Sequence, residues 1–505
     1  MSVRGGGGAR AGATEIVALG ERAWRFAIDD AWDRGRLLAR LREIVGVTDA
    51  VIAEASAAVW FEEETAAPAI RVALAKIGES GGAREGGGAR SHNVRVVYDG
   101  EDLGDVARAA AMTVDEVVAM HAGATYDVAS LGFMPGFAYL RGLDPRLVLP
   151  RRASPRTRVP ARSVAIAAGY TAIYPSPSPG GWHLLGEALD VAPFTDSGAA
   201  FAIGDRVRFE PVTRLAAGPR AAENARAAAT ARGGAPREGE RWLEVTAVRA
   251  PALLVDGGRP GYMHEGVPRG GPLVRAAFAA ADAHAGNASG ACGVELYGAI
   301  DIVARGGPIT LADHRCARTL AENEALTVAP PTGARAGYLA VRGGIDVPLF
   351  LGSRTTLLSA QRGGLDGRPL ARGARLVVGE AAPAHAGARE AHRATTNASA
   401  AILAGPDHDE AVLAALLAAT FLVAPASDRT GTRLLGPALP SSVHSARDRR
   451  SAPMACGAIE LTPAGLIVLG PDHPTTGGYP VIAVLREHAL DAFFATPPGG
   501  AVRFA

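Results

Sequence analysis

The sequence contains a single lysine, Lys76, although arginine and lysine together number 52. A P-loop places its lysine directly after a glycine-rich loop, and Schiff-base enzymes depend on a lysine amine, so the sequence disfavours both chemistries. Cysteine is scarce as well. Cys292, Cys316 and Cys456 form no CxxC pair and no metal-ligand spacing, which predicts no metal site and favours a reduced compartment. We expect these thiols to be small packing residues, with a catalytic thiol as the alternative.

Long hydrophobic runs are also absent, since no stretch approaches about 18 uninterrupted apolar residues. The N-terminal residues lack the apolar core of a signal peptide. The formal net charge is +1, so the charge balance predicts neither a nucleic-acid partner nor an anionic membrane. With 505 residues, of which 48% are hydrophobic, the chain is long enough for three or four structural units. We therefore expect a cytoplasmic globular protein.

Composition divides the chain into five parts. Residues 1–14 are a Gly/Ala/Arg tail, 15–90 predict a small α+β domain, 91–212 predict a β-barrel of short strands, 213–240 form a linker, and 241–505 form a second β-rich module. The predicted fold class is mainly β with α+β.

Local patterns place the main elements within these parts. Strand patterns occur over residues 51–61, 94–100, 163–169, 171–175 and 243–256. Helices are predicted over residues 37–45, 113–122 and 407–420, the last being the one strong helix of the second module. Thr113 and Glu116 have the spacing of a capping box, which supports a helix start at that point.

The two halves of the chain repeat three short signals in the same order. Repetition of this kind indicates an ancient duplication and predicts two similar barrels. The paired signals are SPRTRVP (154–160) with SDRTGTR (427–433), SPGGW (178–182) with TTGGYP (475–480), and GDRVRF (204–209) with GGAVRF (499–504).

Two segments of the first half have the composition of a binding site. In LGFMPGFAYL (131–140), aromatic side chains beside glycines are typical of a pocket wall or of a tight turn on a core. The glycines and their neighbours are Gly132, Phe133, Pro135 and Gly136. In PRRASPRTRVP (150–160), prolines stiffen a loop that presents guanidinium groups to carboxylate or phosphate oxygens, with a solvated basic loop as the alternative. Its polar residues are Arg151, Arg152, Arg156, Thr157 and Arg158.

Paired glycines before an aromatic residue occur once in each half. Backbone N–H groups at such a pair can receive an anion, and a plain hairpin turn is the alternative. The residues concerned are Gly180, Gly181 and Trp182 in the first half and Asp472, Thr475, Thr476, Gly477, Gly478 and Tyr479 in the second. The segment GGRPGYMHEGVPRGG (257–271) adds Arg259, Tyr262, His264 and Arg269. His264 is either a general base or a hydrogen-bonded loop residue.

Together these segments resemble a known family. Residues 15–212 are similar to allophanate hydrolase subunit 1, a family that includes the B-type subunit of 5-oxoprolinase and an inhibitor of a sporulation kinase. The resemblance also extends to YDGEDLGDVA (98–107). Residues 243–505 are similar to allophanate hydrolase subunit 2, which includes the C-type subunit of 5-oxoprolinase, through GGRPGYMHEGVP, YLAVRGGIDVP (338–348), LGSRTT (351–356), SDRTGTRLLGP and PTTGGYP.

The resemblance implies a fold and a reaction. Each half would contain a cyclophilin-like β-barrel, the first preceded by the small α+β domain. The chain would belong to an ATP-dependent 5-oxoprolinase that hydrolyses the lactam of 5-oxo-L-proline to L-glutamate. It would use ATP with Mg²⁺ and act with the A-type subunit of 5-oxoprolinase, which is a separate TIM-like protein. The implied catalytic residues are Arg156, Arg158, His264, Arg429 and Asp472, and Asp428 joins the residues above as a substrate or nucleotide contact.

Two other functions remain open at this stage. One is a regulatory module that inhibits a histidine kinase, and the other is a carboxyltransferase-type component of a urea carboxylase or allophanate hydrolase system. Because the chain has no biotinyl lysine motif, we expect no covalently bound biotin. The sequence also departs from the family at several positions, which leaves the substrate and the activity open. Arg162 stands at a usual glycine, Tyr170 at a glutamine, Gly270 at a serine and Val274 at an aspartate, and His473-Pro474 replaces the usual Arg-Gln.

Overall fold

The structure is a computed structural model that describes residues 15–80, 89–213, 239–380, 399–440 and 450–505. The predicted tail and all but the ends of the predicted linker lie outside these residues. None of the helices in the described part of the chain combines the length and the apolar character needed to cross a bilayer.

The first unit is an antiparallel sheet with two helices. Its strands are β1 Ile16–Gly20, β2 Ala23–Ala27, β3 Val47–Ile52 and β4 Ser56–Phe61, in the order β1-β2-β4-β3. Helices α1 Arg34–Arg42 and α2 Ala67–Ser80 pack on one face, where Trp24, Phe26 and Val59 lie in the core. The predicted strand region 51–61 covers β4 and the end of β3, and the predicted helix 37–45 overlaps α1, whereas β1, β2 and α2 were not predicted.

The sheet of this unit is buried on both faces. Successive side chains of a strand point to opposite faces, and here both sets are apolar. Leu19, Val51 and Trp60 face away from the helices and join a cluster with Met263 and Met454 of the second half. The small domain therefore forms a layer between its own helices and the second half of the chain.

The second unit is a closed seven-stranded barrel, ordered β10-β7-β6-β15-β5-β12-β9. Its strands are β5 Ser91–Val97, β6 Thr125–Leu131, β7 Ala138–Arg141, β9 Ser163–Ala167, β10 Tyr170–Ile173, β12 His183–Ala188 and β15 Arg206–Pro211. All neighbours pair antiparallel except β5 and β15. Two-stranded ribbons are formed by β8 Arg156–Val159 with β11 Ser178–Gly180 and by β13 Phe194–Thr195 with β14 Gly198–Ala199.

Helices α3 Leu103–Ala109 and α4 Val114–Gly123 connect β5 to β6. The predicted capping box is confirmed, because Thr113 Oγ1 accepts from the Glu116 amide and the Glu116 carboxylate accepts from the Thr113 amide. His121 lies in the last turn of α4, between the Tyr98 hydroxyl and the Thr171 hydroxyl. Burial lowers the pKa of His121 to about 3, so it is a neutral core residue.

The second half begins with two sheets that share one core. The first is ordered β22-β19-β16-β24 and the second β17-β18-β23-β20-β21. The strands are β16 Trp242–Val248, β17 Ala252–Val255, β18 Gly293–Leu296, β19 Ile300–Arg305, β20 Ile309–Ala312, β21 Ala317–Leu320, β22 Ala325–Val328, β23 Gly337–Val341 and β24 Arg375–Val377. Helix α5 Arg275–Ala285, which was not predicted, packs on β23.

The second half ends in a seven-stranded sheet ordered β25-β32-β29-β30-β27-β26-β33. Its strands are β25 Ile402–Ala404, β26 Phe421–Val423, β27 Gly431–Leu435, β29 Ala458–Thr462, β30 Gly465–Leu469, β32 Val481–Leu485 and β33 Ala501–Val502, with a ribbon of β28 Ala452–Pro453 and β31 Thr476–Gly477. The predicted helix is confirmed as α6 Glu410–Ala418, capped by Asp409, and α7 Glu487–Ala495 adds a helix that was not predicted.

The two seven-stranded units have the same circular strand order. In each, the first and last strands approach in parallel, through β5 and β15 in the barrel and through a bridge between Ala400 and Phe504 in the second unit. The echoes SPGGW with TTGGYP and GDRVRF with GGAVRF fall on equivalent strands. The remaining echo does not fall on equivalent strands, because SPRTRVP contains the ribbon strand β8 whereas SDRTGTR comprises the end of the β26–β27 turn and the first three residues of β27. The similarity of those two loops is one of short sequence alone.

Glu460 provides a test of the core of the second seven-stranded unit. Its carboxyl group lies on β29 and is 7% exposed, and burial raises its pKa to about 7. The folded state therefore holds the proton more tightly than the unfolded chain, and stability is lost as the pH rises from about 4.5 through 7. The free energy of unfolding of Glu460→Gln, relative to that of the wild type, should therefore rise by about 2–3 kcal/mol when the pH is raised from 5 to 8.

Chemical denaturation at both pH values measures this difference. The matched control is Glu322→Gln, since Glu322 is an exposed loop residue. An equal gain at both pH values, or the same pH dependence in the control, would contradict the burial of an ionisable carboxyl group at residue 460.

Candidate functional site

The loop between β6 and β7 is held against the second half of the chain. The Phe133 amide donates to Thr476 Oγ1 at 3.1 Å, and the Gly136 amide donates to the Glu265 carbonyl at 2.8 Å. A Cβ on Gly132 would lie 1.9 Å from Thr476 Oγ1, so only glycine permits this approach. Phe133 has a φ of 65°, which is a strained conformation for an aromatic residue. The structure thus brings Gly132, Phe133, Pro135 and Gly136 together with Thr476.

The predicted arginine loop is anchored by a buried carboxylate. Asp102 is 2% exposed and accepts from Arg152 at 2.5 Å, from Arg156 at 2.7 Å and from the Leu184 amide at 2.7 Å. Burial opposes ionisation of Asp102, but Arg156 and the Leu184 amide hold its pKa below the usual value. Arg152 and Arg156 therefore fix the loop, and Arg158 is left exposed on β8 beside the exposed Thr157.

The Gly-Gly turn of the first half is packed closely against its barrel. A Cβ on Gly180 would lie 2.3 Å from the Tyr174 hydroxyl, and the Gly181 carbonyl accepts from the Arg152 amide at 2.8 Å. Trp182 is 6% exposed and meets the rings of Phe137 and Tyr139 edge to face. This close packing favours a structural turn over an anion-binding site at Gly180 and Gly181.

Arg429 is the centre of a buried ionic network. Its guanidinium donates to Glu295 at 2.6 Å, to both oxygens of Asp472 at 2.7 and 3.0 Å, and to the Gly271 carbonyl at 2.6 Å. Although burial acts against the charge, the two carboxylates hold the pKa of Arg429 above its usual value. The network ties the loop at Gly271 to the loop at Asp472. Asp428 lies beside it and accepts from the amides of Thr430 and Gly431.

Arg259 and His264 are also buried. Arg259 is 1% exposed, donates to the Thr355 carbonyl, and lies 5.7 Å from the centre of the Phe350 ring. Burial lowers the pKa of His264 to about 4, so the imidazole is neutral at pH 7. A neutral imidazole satisfies one requirement of the predicted base, and its catalytic role stays a prediction.

A cavity of about 420 Å³ lies where the small domain meets the second half, and we call it the interface cavity. One wall is the turn between β1 and β2 with the end of β4, and the others come from the segments around α5 and β32. Its polar lining consists of Glu21, Arg22, Glu62, Arg269, Arg275, Ser289, Cys456, His473 and Glu487. Ligand pockets are typically about 300–1,000 Å³, so the cavity is large enough for a small molecule.

A second cavity, of about 350 Å³, contains the other Gly-Gly turn. Gly477, Gly478 and Tyr479 line it together with Arg25 and Asp407, which form a bidentate ion pair at 3.1 and 2.7 Å. The predicted residues of the two halves therefore do not converge on one site. The β6–β7 loop meets Thr476, the first arginine loop lies on its own barrel, and Arg429 with Asp472 lies behind the interface cavity.

The residues that line the interface cavity were mostly not predicted as site residues. His473, Arg275 and Cys456 come from segments distant in sequence, and the signals for this region were Arg269 and the altered positions near it. Gly270, where the family has serine, is itself part of the wall. Burial raises the pKa of the Cys456 thiol to about 11, which disfavours a thiolate at neutral pH and favours the packing role expected for it.

The structure accommodates two other residues that differ from the family, Val274 and Arg162. Val274, at the usual aspartate, precedes α5, whose first amides, of Arg275 and Ala276, are satisfied by Asp491 of α7 at 2.7 and 3.0 Å. Arg162, at the usual glycine, has a φ of 64°, which is the left-handed conformation that glycine adopts without strain. Among the described residues, no group of three or more His, Cys, Asp or Glu side chains converges as metal ligands.

Comparison with known proteins defines the class. The family described as carboxyltransferase domain, subdomain C and D, matches residues 14–196, and the family described as carboxyltransferase domain, subdomain A and B, matches residues 265–505. The chain belongs to this carboxyltransferase-domain family. Within it, the chain is a fusion of two modules that resemble the B-type and C-type subunits of 5-oxoprolinase.

The similarity to particular proteins agrees with this division. The chain is 48% identical over 100 residues to the B-type 5-oxoprolinase subunit of Haemophilus influenzae, which covers 19% of this chain and 47% of that protein. It is 30% identical over 268 residues to the C-type 5-oxoprolinase subunit of Escherichia coli strain K12, covering 49% and 86%. The crystal structure of TTHA0988 superposes with a TM-score of 0.79 at 30% identity, covering 96% of this chain and 99% of that one. The chain spans about half the length of the B-type relatives it matches.

The contact between Gly132 and Thr476 can be tested by substitution. We expect Gly132→Ala to lower the free energy of unfolding by more than about 2 kcal/mol, because the new methyl group overlaps the Thr476 side chain. Adding Thr476→Gly should recover a large part of that loss, since it removes the overlapping atoms. Denaturation of the two single variants and the double variant gives the coupling, and additive effects would contradict the contact.

The buried ion pairs of Arg429 can be tested through their effect on stability. Arg429→Met should cost about 3–5 kcal/mol or prevent folding, because it leaves Glu295 and Asp472 buried without a counter-charge. The triple variant Arg429→Met, Glu295→Gln, Asp472→Asn should regain most of the stability, measured by denaturation or by the yield of folded protein. A stable Arg429→Met protein would show that the guanidinium is not required to neutralise the core.

Proposed function

We propose that this chain is the combined B-type and C-type component of an ATP-dependent 5-oxoprolinase, which opens the lactam of 5-oxo-L-proline to give L-glutamate. The observation that carries the proposal is the joint interface cavity. Its walls come both from the module that resembles the B-type subunit and from the module that resembles the C-type subunit. A cavity built by both modules explains why they would act together. A separate protein, the A-type subunit, completes the proposed enzyme.

The chemistry makes demands that the chain can meet. A lactam is stabilised by resonance, so ring opening requires activation of its oxygen, and ATP would supply the phosphoryl group for it. The protein must then neutralise phosphate charge and orient the lactam. Arg158 is the exposed guanidinium on the anchored loop, and Arg156 beside it is held by Asp102. A loop fixed in this way presents positive charge with little entropy loss.

A second candidate is a carboxyltransferase-type component. Both matching families are described as carboxyltransferase domains, and the chain is 27% identical over 312 residues to the urea amidolyase of Lachancea kluyveri, covering 52% of this chain and 17% of that protein. In this role the chain would receive a carboxyl group from a separate biotin-bearing protein.

An assay of the assembled enzyme separates these functions. The purified chain is mixed with the A-type subunit, ATP, Mg²⁺ and 5-oxo-L-proline, and glutamate release is measured. We expect turnover that requires every component. Arg158→Ala should lower kcat/KM by about 10–100-fold, the value of one or two charge-assisted hydrogen bonds, whereas the exposed Arg372→Ala should not.

Two results would contradict the hydrolase. One is the absence of glutamate release from the complete mixture. The other is ATP-independent carboxyl exchange with a biotinylated protein, which would favour the carboxyltransferase. Unchanged turnover in Arg156→Ala and Arg158→Ala would remove the arginine loop from the mechanism while leaving the overall reaction in place.

A further inference from the structure

The charged residues of the interface cavity are paired except at one position. Arg22 lies 3.2 Å from Glu487, Arg269 lies 2.8 Å from Glu62, and Glu21 lies 2.8 Å from Arg486. These pairs use all three carboxylates of the lining. The guanidinium of Arg275 has no ion-pair partner within the described parts of the chain. Among the described residues of the lining, Arg275 is thus the arginine whose guanidinium is not held by a carboxylate.

Arg275 is the first residue of α5, and its backbone is fixed by the bond from its amide to Asp491 at 2.7 Å. Arg275 is exposed and is one of the residues that line the cavity. Cys456 lines the same cavity. A guanidinium in this position can bind a carboxylate with two parallel hydrogen bonds.

His473 supplies a hydrogen-bond acceptor, whereas the Arg275 guanidinium only donates. It is 3% exposed and lines the same cavity. Its Nδ1 lies 2.8 Å from the Pro474 carbonyl oxygen, which can only accept, so Nδ1 carries the proton. Burial also lowers the pKa of His473, which keeps the imidazole neutral. Nε2 is then a hydrogen-bond acceptor, and no described residue donates to it.

Apolar side chains form another part of the lining. Leu19, Trp60, Phe278 and Leu490 contribute hydrocarbon surface to the cavity. A ligand that fits these walls has a small hydrocarbon body, an anionic group for Arg275 and an N–H donor for His473. Binding energy in such a pocket comes from burial of the body, and the polar groups fix its orientation.

We propose that the interface cavity binds a small cyclic amide acid, with its carboxylate on Arg275 and its amide N–H on His473 Nε2. The choice of a lactam acid rests on the proposed function. The pairing of a carboxylate with Arg275 rests only on the charges and geometry of the cavity. Arg275 and His473 would thus determine specificity within the second module.

Binding to the full chain tests this proposal without ATP or the A-type subunit. Isothermal titration calorimetry is performed with 5-oxo-L-proline and with 2-pyrrolidinone, which has the same lactam ring without the carboxylate. We expect the wild type to bind 5-oxo-L-proline at least about 10-fold more tightly than 2-pyrrolidinone, the value of a charge-assisted pair. Arg275→Gln should abolish this difference, and Arg275→Lys should retain part of it.

Matched controls isolate the effect of the cavity. Arg372→Gln removes an exposed arginine outside the cavity and should bind as the wild type does. His473→Phe removes the acceptor and should weaken both lactams equally, with thermal melting used to confirm that the variant folds. Absence of binding by the wild type, or a carboxylate preference that survives in Arg275→Gln, overturns the proposal.

The experiments distinguish a failure of this binding site from a failure of the proposed reaction. Glutamate release by the complete enzyme with an unchanged KM in Arg275→Gln would leave the reaction standing and remove this site. Carboxylate binding that depends on Arg275, without any turnover in the complete mixture, would leave the site standing and remove the reaction.

Discussion

The structure depends on the burial of both faces of the first sheet. One face covers the helices of the small domain, and the other places Leu19, Val51 and Trp60 against Met263 and Met454. Exposing either apolar face of this sheet to water would lower the folding stability substantially. The second half of the chain must therefore cover it, and that contact creates the wall of the interface cavity.

Buried charges then fix the loops around this contact. Asp49 is 2% exposed and accepts from the amides of Gly261 and Met263 at 2.9 and 3.1 Å, which ties β3 to the second half. The Arg429 network joins two further loops. Because a buried charge is tolerated only when it is paired, such groups restrict each loop to one position. The cavity is consequently formed by loops whose positions are set by these distant contacts and not by their own sequences.

Prediction succeeded where the signal was local or was repeated along the chain. The capping box of Thr113, the helix after Asp409 and the strands around residues 163–173 depend on neighbouring residues, and each is confirmed. The repeated modules are confirmed by their common strand order. The echo of SPRTRVP failed because similar loops can connect different strands. Helix α5 was not predicted; the carboxylate that caps it, Asp491, lies more than 200 residues away.

The sequence by itself determined the two related modules, a minority of their strands and the family to which they belong, because periodicity and short motifs are properties of contiguous residues. Only the tertiary structure decided which polar residues share a site. Arg156 and Arg429 are paired with carboxylates distant in sequence, whereas Arg275 and His473 face a common cavity. Whether an arginine is neutralised or available depends on what lies within a few ångströms of it, and that is set by the fold.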